Sequence, residues 1–143
     1  MSSLAKFFSK GEDPLPSIDD PQLGHMAWSK DDEAWVGTHG GMQFGLAYER
    51  EAAPTPGLLA YAREVLADPN WLANTLEEEK KSWAPKVPPS VKTELAALRF
   101  GLVYFSMHKD HGYIFATVDG GGDNRSWRIE YHGRKCDGLG FDT

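Results

Sequence analysis

The chain has 143 residues, of which 41% are hydrophobic, 12% aromatic and 25% charged, enough for one hydrophobic core and unlike a disordered polypeptide. Its formal net charge of −6 lacks the basic footprint that phosphate neutralisation requires, which argues against a nucleic-acid-binding protein. The single cysteine, Cys136, excludes an intramolecular disulfide or a thiolate zinc cluster, and the longest near-apolar stretch, Leu95 to Met107, is interrupted by Arg99 and falls short of the ~18 residues of a membrane span.

Residues 1–20 contain Gly11, Pro14 and Pro16 without a sustained period and are expected to form a flexible leader. The stretch Met1 to Lys10 has no apolar segment of the length a signal peptide needs. A single domain is expected from Pro21 to Thr143. Leu23 to Trp28, Ala34 to Thr38 and Met42 to Tyr48 read as three short strands, joined by the polar turn Ser29-Lys30-Asp31-Asp32 and the tight turn His39-Gly40-Gly41. They predict an antiparallel meander.

Two central helices follow. Thr55 is placed to cap the first, with Pro56 at its first position, and Leu58, Leu59, Ala62, Val65 and Leu66 share one face at helical spacing. Asp68-Pro69 opens the second, whose inner stripe is Trp71, Leu72, Thr75, Leu76 and Trp83. Glu77 and Lys81 stand four apart in the favourable order, so the run from Glu77 to Lys81 reads as a solvated helical face. Pro85, Pro88 and Pro89 end the helix.

The last third returns to strand. Glu94 to Met107 predicts one long strand, with Ser90 to Ala97 able to open as a helical turn instead. After the turn Lys109 to Gly112, Tyr113 to Val118 is a strand, and Trp127, Ile129 and Tyr131 alternate with Arg128, Glu130 and His132 in the clearest one-face-buried pattern of the chain. Cys136 to Phe141 adds a short edge strand. The expected fold is α+β: an antiparallel sheet of an N-terminal three-strand meander and three to four C-terminal strands, with the two helices packed on one face.

Catalytic and metal-binding patterns are weak. His108 and His111 flank Asp110 but lack a third ligand or an HExxH helix. The loop Asp119 to Asn124 carries oxygen ligands and three glycines without the ligand order of a calcium loop or a phosphate-cradling motif. Cys136 has basic neighbours in Arg134 and Lys135 but no motif around it, and no serine stands in a GxSxG or SxxK setting. The aromatic residues, Tyr104, Tyr113 and Phe115 among them, sit at core-compatible spacing and are assigned to the core. No cofactor is implied. What remains is a set of short carboxylate clusters, from which Asp31, Asp32, Glu33, Glu49, Glu51, Glu77 and Glu78 are the candidate partner-binding residues, since an acidic surface steers a basic protein.

The segment Asp20-Pro21-Gln22-Leu23-Gly24-His25-Met26-Ala27-Trp28, followed by Trp35-Val36-Gly37, resembles the opening of a family of small bacterial proteins catalogued as a domain of unknown function. The two helices, Asp110-His111-Gly112-Tyr113-Ile114-Phe115 and the Gly-rich last hairpin are similar to that family's plan. Many of its members have Trp-Gly-His after the aromatic strand, where this chain has Val118-Asp119-Gly120, so no ligand role tied to that element transfers. The family brings no catalytic residues. The resemblance implies an immunity-type protein that binds and blocks a toxin or effector; the lone cysteine points to the reducing cytoplasm, the acidic surface to a partner more basic than the chain, and charge and hydropathy to neither nucleic acid nor membrane as partner. Two other readings stand beside it: a small metal- or ligand-binding domain or enzyme using the His108/His111 turn or the Asp119–Asn124 loop, and a housekeeping scaffold.

Overall fold

A computed structural model describes residues 17–47, 53–122 and 125–142. Its strands are β1 (Ser17–Asp20), β2 (Gly24–Ser29), β3 (Ala34–His39), β4 (Met42–Ala47), β5 (Arg99–His108), β6 (His111–Asp119), β7 (Ser126–His132) and β8 (Lys135–Asp142). Among the described residues between β4 and β5 lie three helices, α1 (Pro56–Leu66), α2 (Pro69–Trp83) and α3 (Pro89–Ala96), with one 3-10 turn at Ala84–Lys86. The fold is α+β.

All eight strands form one sheet in sequence order. Every neighbouring pair is antiparallel except β4 and β5, which run parallel because the helical segment carries the chain back across the sheet between them. The wholly antiparallel sheet expected from sequence is therefore corrected at this pair. Strand also begins earlier than expected: Ser17–Asp20, assigned to the leader, pairs with β2 through Ser17↔Ala27 and Asp20↔Gly24. Residues 1–16 lie outside the described residues.

Local chemistry accounts for the helix starts. Thr55 Oγ1 accepts the Leu58 N–H at 3.2 Å, with Pro56 in the first turn. Asp68 precedes Pro69 but makes no capping bond; its carboxylate instead accepts Arg134 at 3.0 Å. The expected long strand from Glu94 is corrected to a strand from Arg99, and the alternative expectation of a helical opening over Ser90 to Ala97 corresponds to helix α3. Pro89 starts this helix, Glu, Leu and Ala favour it, and one turn buries Val91, Glu94 and Leu95 together.

One side of the sheet is the core. Trp28, Trp35, Leu46, Phe105, Ile114 and Tyr131 stand in register across six strands and are all buried. They share one hydrophobic cluster with Leu58, Val65, Leu72, Leu76 and Leu95 of the helices. No described helix is long and apolar enough to cross a membrane.

Among the described residues, two carboxylates are buried with the core. Asp20 accepts N–H bonds from Leu23 at 2.8 Å and Gln22 at 3.0 Å, and its oxygens also receive the Arg63 guanidinium of α1. Glu94 accepts Arg125 at 2.6 Å and the indole N–H of Trp127. Each ties a loop to a helix.

Candidate binding face

The other side of the sheet is built by the alternate residues of the same strands. One row runs Ala27, Val36, Gly45, Tyr104, Phe115, Glu130 and Gly138, each opposite the next. A parallel row places Tyr113 opposite His132. Phe115 is 43% exposed and Tyr113 39% exposed, the large apolar residues most open to solvent among those described. Their positions two apart on β6 set them side by side on this face, while Ile114 and Ala116 between and beyond them are buried on the other.

Tyr104 is positioned by a glycine. A Cβ at Gly45 would lie 3.2 Å from the Tyr104 ring and 3.3 Å from the Ala34 Cβ, so the ring leans across β4 toward the β2–β3 turn. There the Tyr104 hydroxyl donates to Asp32 Oδ1 at 3.1 Å. The other oxygen of Asp32 accepts the Ser29 hydroxyl at 3.0 Å, and Ser29 Oγ accepts the Asp32 N–H at 3.2 Å. Partial burial, with the Asp32 carboxylate beside it, pushes the Tyr104 phenol up to about 12.

At the β7–β8 side the rim is charged. Arg128 lies between Glu130 at 3.3 Å and Asp142 at 3.1 Å, and His132 Nδ1 is 2.6 Å from Asp137. The face thus has an aromatic centre and a polar border, the usual anatomy of a protein-docking surface.

The candidate residues named from sequence do not gather into one patch. Asp31, Asp32 and Glu33 are exposed in the β2–β3 turn, Glu33 at a φ of 51°. Glu77 and Glu78 are exposed on α2, where Glu77 holds Lys80 at 3.0 Å. That stretch of helix lies beside β8, since Glu79 accepts the Leu139 N–H at 2.9 Å. Five strand spacings, about 24 Å, separate β8 from β3. Glu49 and Glu51 lie outside the described residues. Of the described members of the set, Asp32 is the one bonded to the aromatic face.

Tyr113 and Phe115, assigned to the core from sequence, are corrected to the open face. In the middle of β6 the four consecutive residues Tyr113 to Ala116 are all apolar or aromatic, so the alternation there does not by itself separate Tyr113/Phe115 from Ile114/Ala116. Pairing with Tyr131 and Ile129 of β7 makes the choice.

The other candidate chemistries have structural accounts. His108 and His111 pair across a two-residue turn and are exposed, and among the described residues no three His, Cys, Asp or Glu side chains are grouped to hold a metal. In the glycine loop, Asp119 Oδ1 accepts the Gly121 N–H at 3.0 Å, and a Cβ at Gly120 would lie 2.6 Å from the Glu94 carbonyl oxygen. Helix α3 therefore requires a glycine there. Asp123 and Asn124 are outside the described residues. Burial, with Glu79 nearby, pushes the half-buried Cys136 thiol up to about 11, the opposite of nucleophile activation.

Compared with protein-family models, curated proteins and solved structures, the chain matches none of them significantly.

Proposed function

We propose that this chain is a non-enzymatic protein-binding protein of the immunity type, working in the cytoplasm, which neutralises a toxin or effector more basic than itself by seating it on the open face of the sheet. The observation that carries this reading is the joint exposure of Phe115 and Tyr113 beside Tyr104, with the core residues of the same strands fully enclosed. Exposed aromatics at the centre of a patch are the residue types that anchor protein interfaces. The helices on one side and an open sheet face on the other leave about 600 Å² of β2–β8 in projection, approaching the ~800 Å² that one partner contributes to a standard interface. The net charge of −6 favours a basic partner through steering and through suppression of acidic competitors. The bacterial family that the opening motif resembles supplies the toxin context.

Co-expression with the product of the adjacent gene tests this reading. Capture on the tagged chain, with rescue of growth if that product is toxic, is the expected result. No capture and no rescue would defeat it.

A further inference from the structure

Resting on that reading, we infer that the open face receives arginine side chains of the partner, each held by an aromatic ring and a carboxylate together. The molecule already holds two of its own arginines in this way. Arg134 lies with its guanidinium 4.5 Å from the centre of the Trp71 ring while it bonds Glu64 at 3.2 Å and Asp68 at 3.0 Å. Arg125 lies 5.6 Å from the Phe141 ring and bonds Glu94 at 2.6 Å. A planar guanidinium uses both contacts at once, its face on the ring and its edge on the carboxylate, whereas an ammonium makes no comparable fork.

The open face repeats these paired elements with fewer cations than carboxylates, Arg128 being shared between Glu130 at 3.3 Å and Asp142 at 3.1 Å. Phe115 stands directly opposite Glu130 on the neighbouring strand, a separation of roughly 5 Å between Cβ atoms for such pairs. Tyr104 is bonded to Asp32, with the exposed carboxylates of Asp31 and Glu33 beside it. The local charge is in excess on the acidic side, since in the β2–β3 turn the exposed Lys30 stands against the exposed Asp31, Asp32 and Glu33. Arg128 serves two carboxylates, Glu130 and Asp142, and Arg134 is occupied by α1 and its connection to α2. An incoming arginine therefore finds ring and carboxylate side by side at two places on one face, which selects arginine over lysine as well as base over acid.

The test uses the full chain and three soluble peptides of alternating sequence: arginine–serine, lysine–serine and glutamate–serine. Backbone amide shifts locate binding, and isothermal titration at near-physiological salt measures it. The arginine peptide is expected to bind, to perturb β5, β6 and β7 around Tyr104, Tyr113 and Phe115, and to bind at least about fivefold more tightly than the lysine peptide. F115L, which keeps an apolar side chain without the ring, and E130Q should each weaken it by about fivefold or more, while E78Q on α2 leaves it within about twofold. Equal binding of the lysine peptide, perturbations centred elsewhere, or no binding would each overturn the inference. If the adjacent-gene product is captured through Phe115 while the arginine peptide does not bind, this inference falls and the proposed function stands. If the peptide binds as expected and capture and rescue fail, the toxin reading falls instead.

Discussion

The indole N–H of Trp127 donates to the carboxylate of Glu94, joining the start of β7 to helix α3 under the glycine loop. The other carboxylate oxygen receives Arg125 at 2.6 Å, so a charge taken out of water has both a cation and a neutral donor. The Trp127 ring in turn packs 4.7 Å from Phe141 and 5.8 Å from Trp83. One acidic side chain thereby fixes an aromatic corner of the core.

Removing it should be costly. E94A leaves the Trp127 N–H without its acceptor and Arg125 without its counter-charge, with an expected loss of about 3 kcal/mol in urea unfolding. G120A forces a Cβ to within 2.6 Å of backbone oxygen at Glu94 and should cost about 2 kcal/mol. Wild-type midpoints for either variant would refute this account of the loop.

The Asp20 clamp makes stability depend on acid. Arg63, and then the N–H groups of Leu23 and Gln22, hold the Asp20 carboxyl well below the usual carboxylate range, outweighing the opposing effect of burial. A depressed folded value contributes stability above the unfolded carboxylate pKa of ~3.9, lost as pH falls below it. D20N should lose about 1.5 kcal/mol near neutral pH. Its difference from wild type should begin to shrink as pH falls below ~3.9 and keep shrinking toward the depressed folded value, measured by urea titrations at several acidic pH values.

Cys136 should be slow to alkylate. With its thiol pushed up to about 11, the thiolate at about pH 8 is roughly a hundredfold scarcer than for a free thiol. Iodoacetamide should modify the native chain far more slowly than the chain in urea. A raised folded value stabilises fully below the unfolded thiol pKa of ~8.5 and is lost as pH rises toward the folded one. Wild type should therefore lose stability in that alkaline interval more steeply than C136A.

The two sides of the sheet should respond oppositely to truncation. F115A and Y113A are expected to change stability by no more than about 0.5 kcal/mol, because the removed rings are already in contact with water. F105A, fully buried on the adjacent strand and packed edge-on to Tyr61, should cost about 4 kcal/mol. Thermal melts measure this difference, and pull-downs measure the loss of partner capture expected only for the exposed pair.

Much of the local structure is legible in the residues themselves. Thr55-Pro56 marks a helix start through a side-chain acceptor and a missing donor, and Gly40-Gly41 marks a hairpin because both residues take positive φ, 57° and 82°. The alternation of Trp127, Ile129 and Tyr131 with Arg128, Glu130 and His132 fixes the buried side of β7, since only one of its two faces is apolar. Such features act within a few residues and need no distant partner.

Tertiary structure decided the rest because distant strands and helices set it. In the middle of β6 Tyr113 to Ala116 are all apolar or aromatic, and pairing with β7 sent Ile114 inward and Phe115 outward. Asp20 and Glu94 look like ordinary surface carboxylates in sequence; they are buried because Arg63 and Arg125, 43 and 31 residues away, meet them in space. The same is true of the candidate face. Its acidic residues could be counted from the chain, but only the register that placed Tyr104 over Gly45 and beside Asp32 joined one acidic turn to an aromatic surface and left Glu77 and Glu78 at the far edge of the sheet.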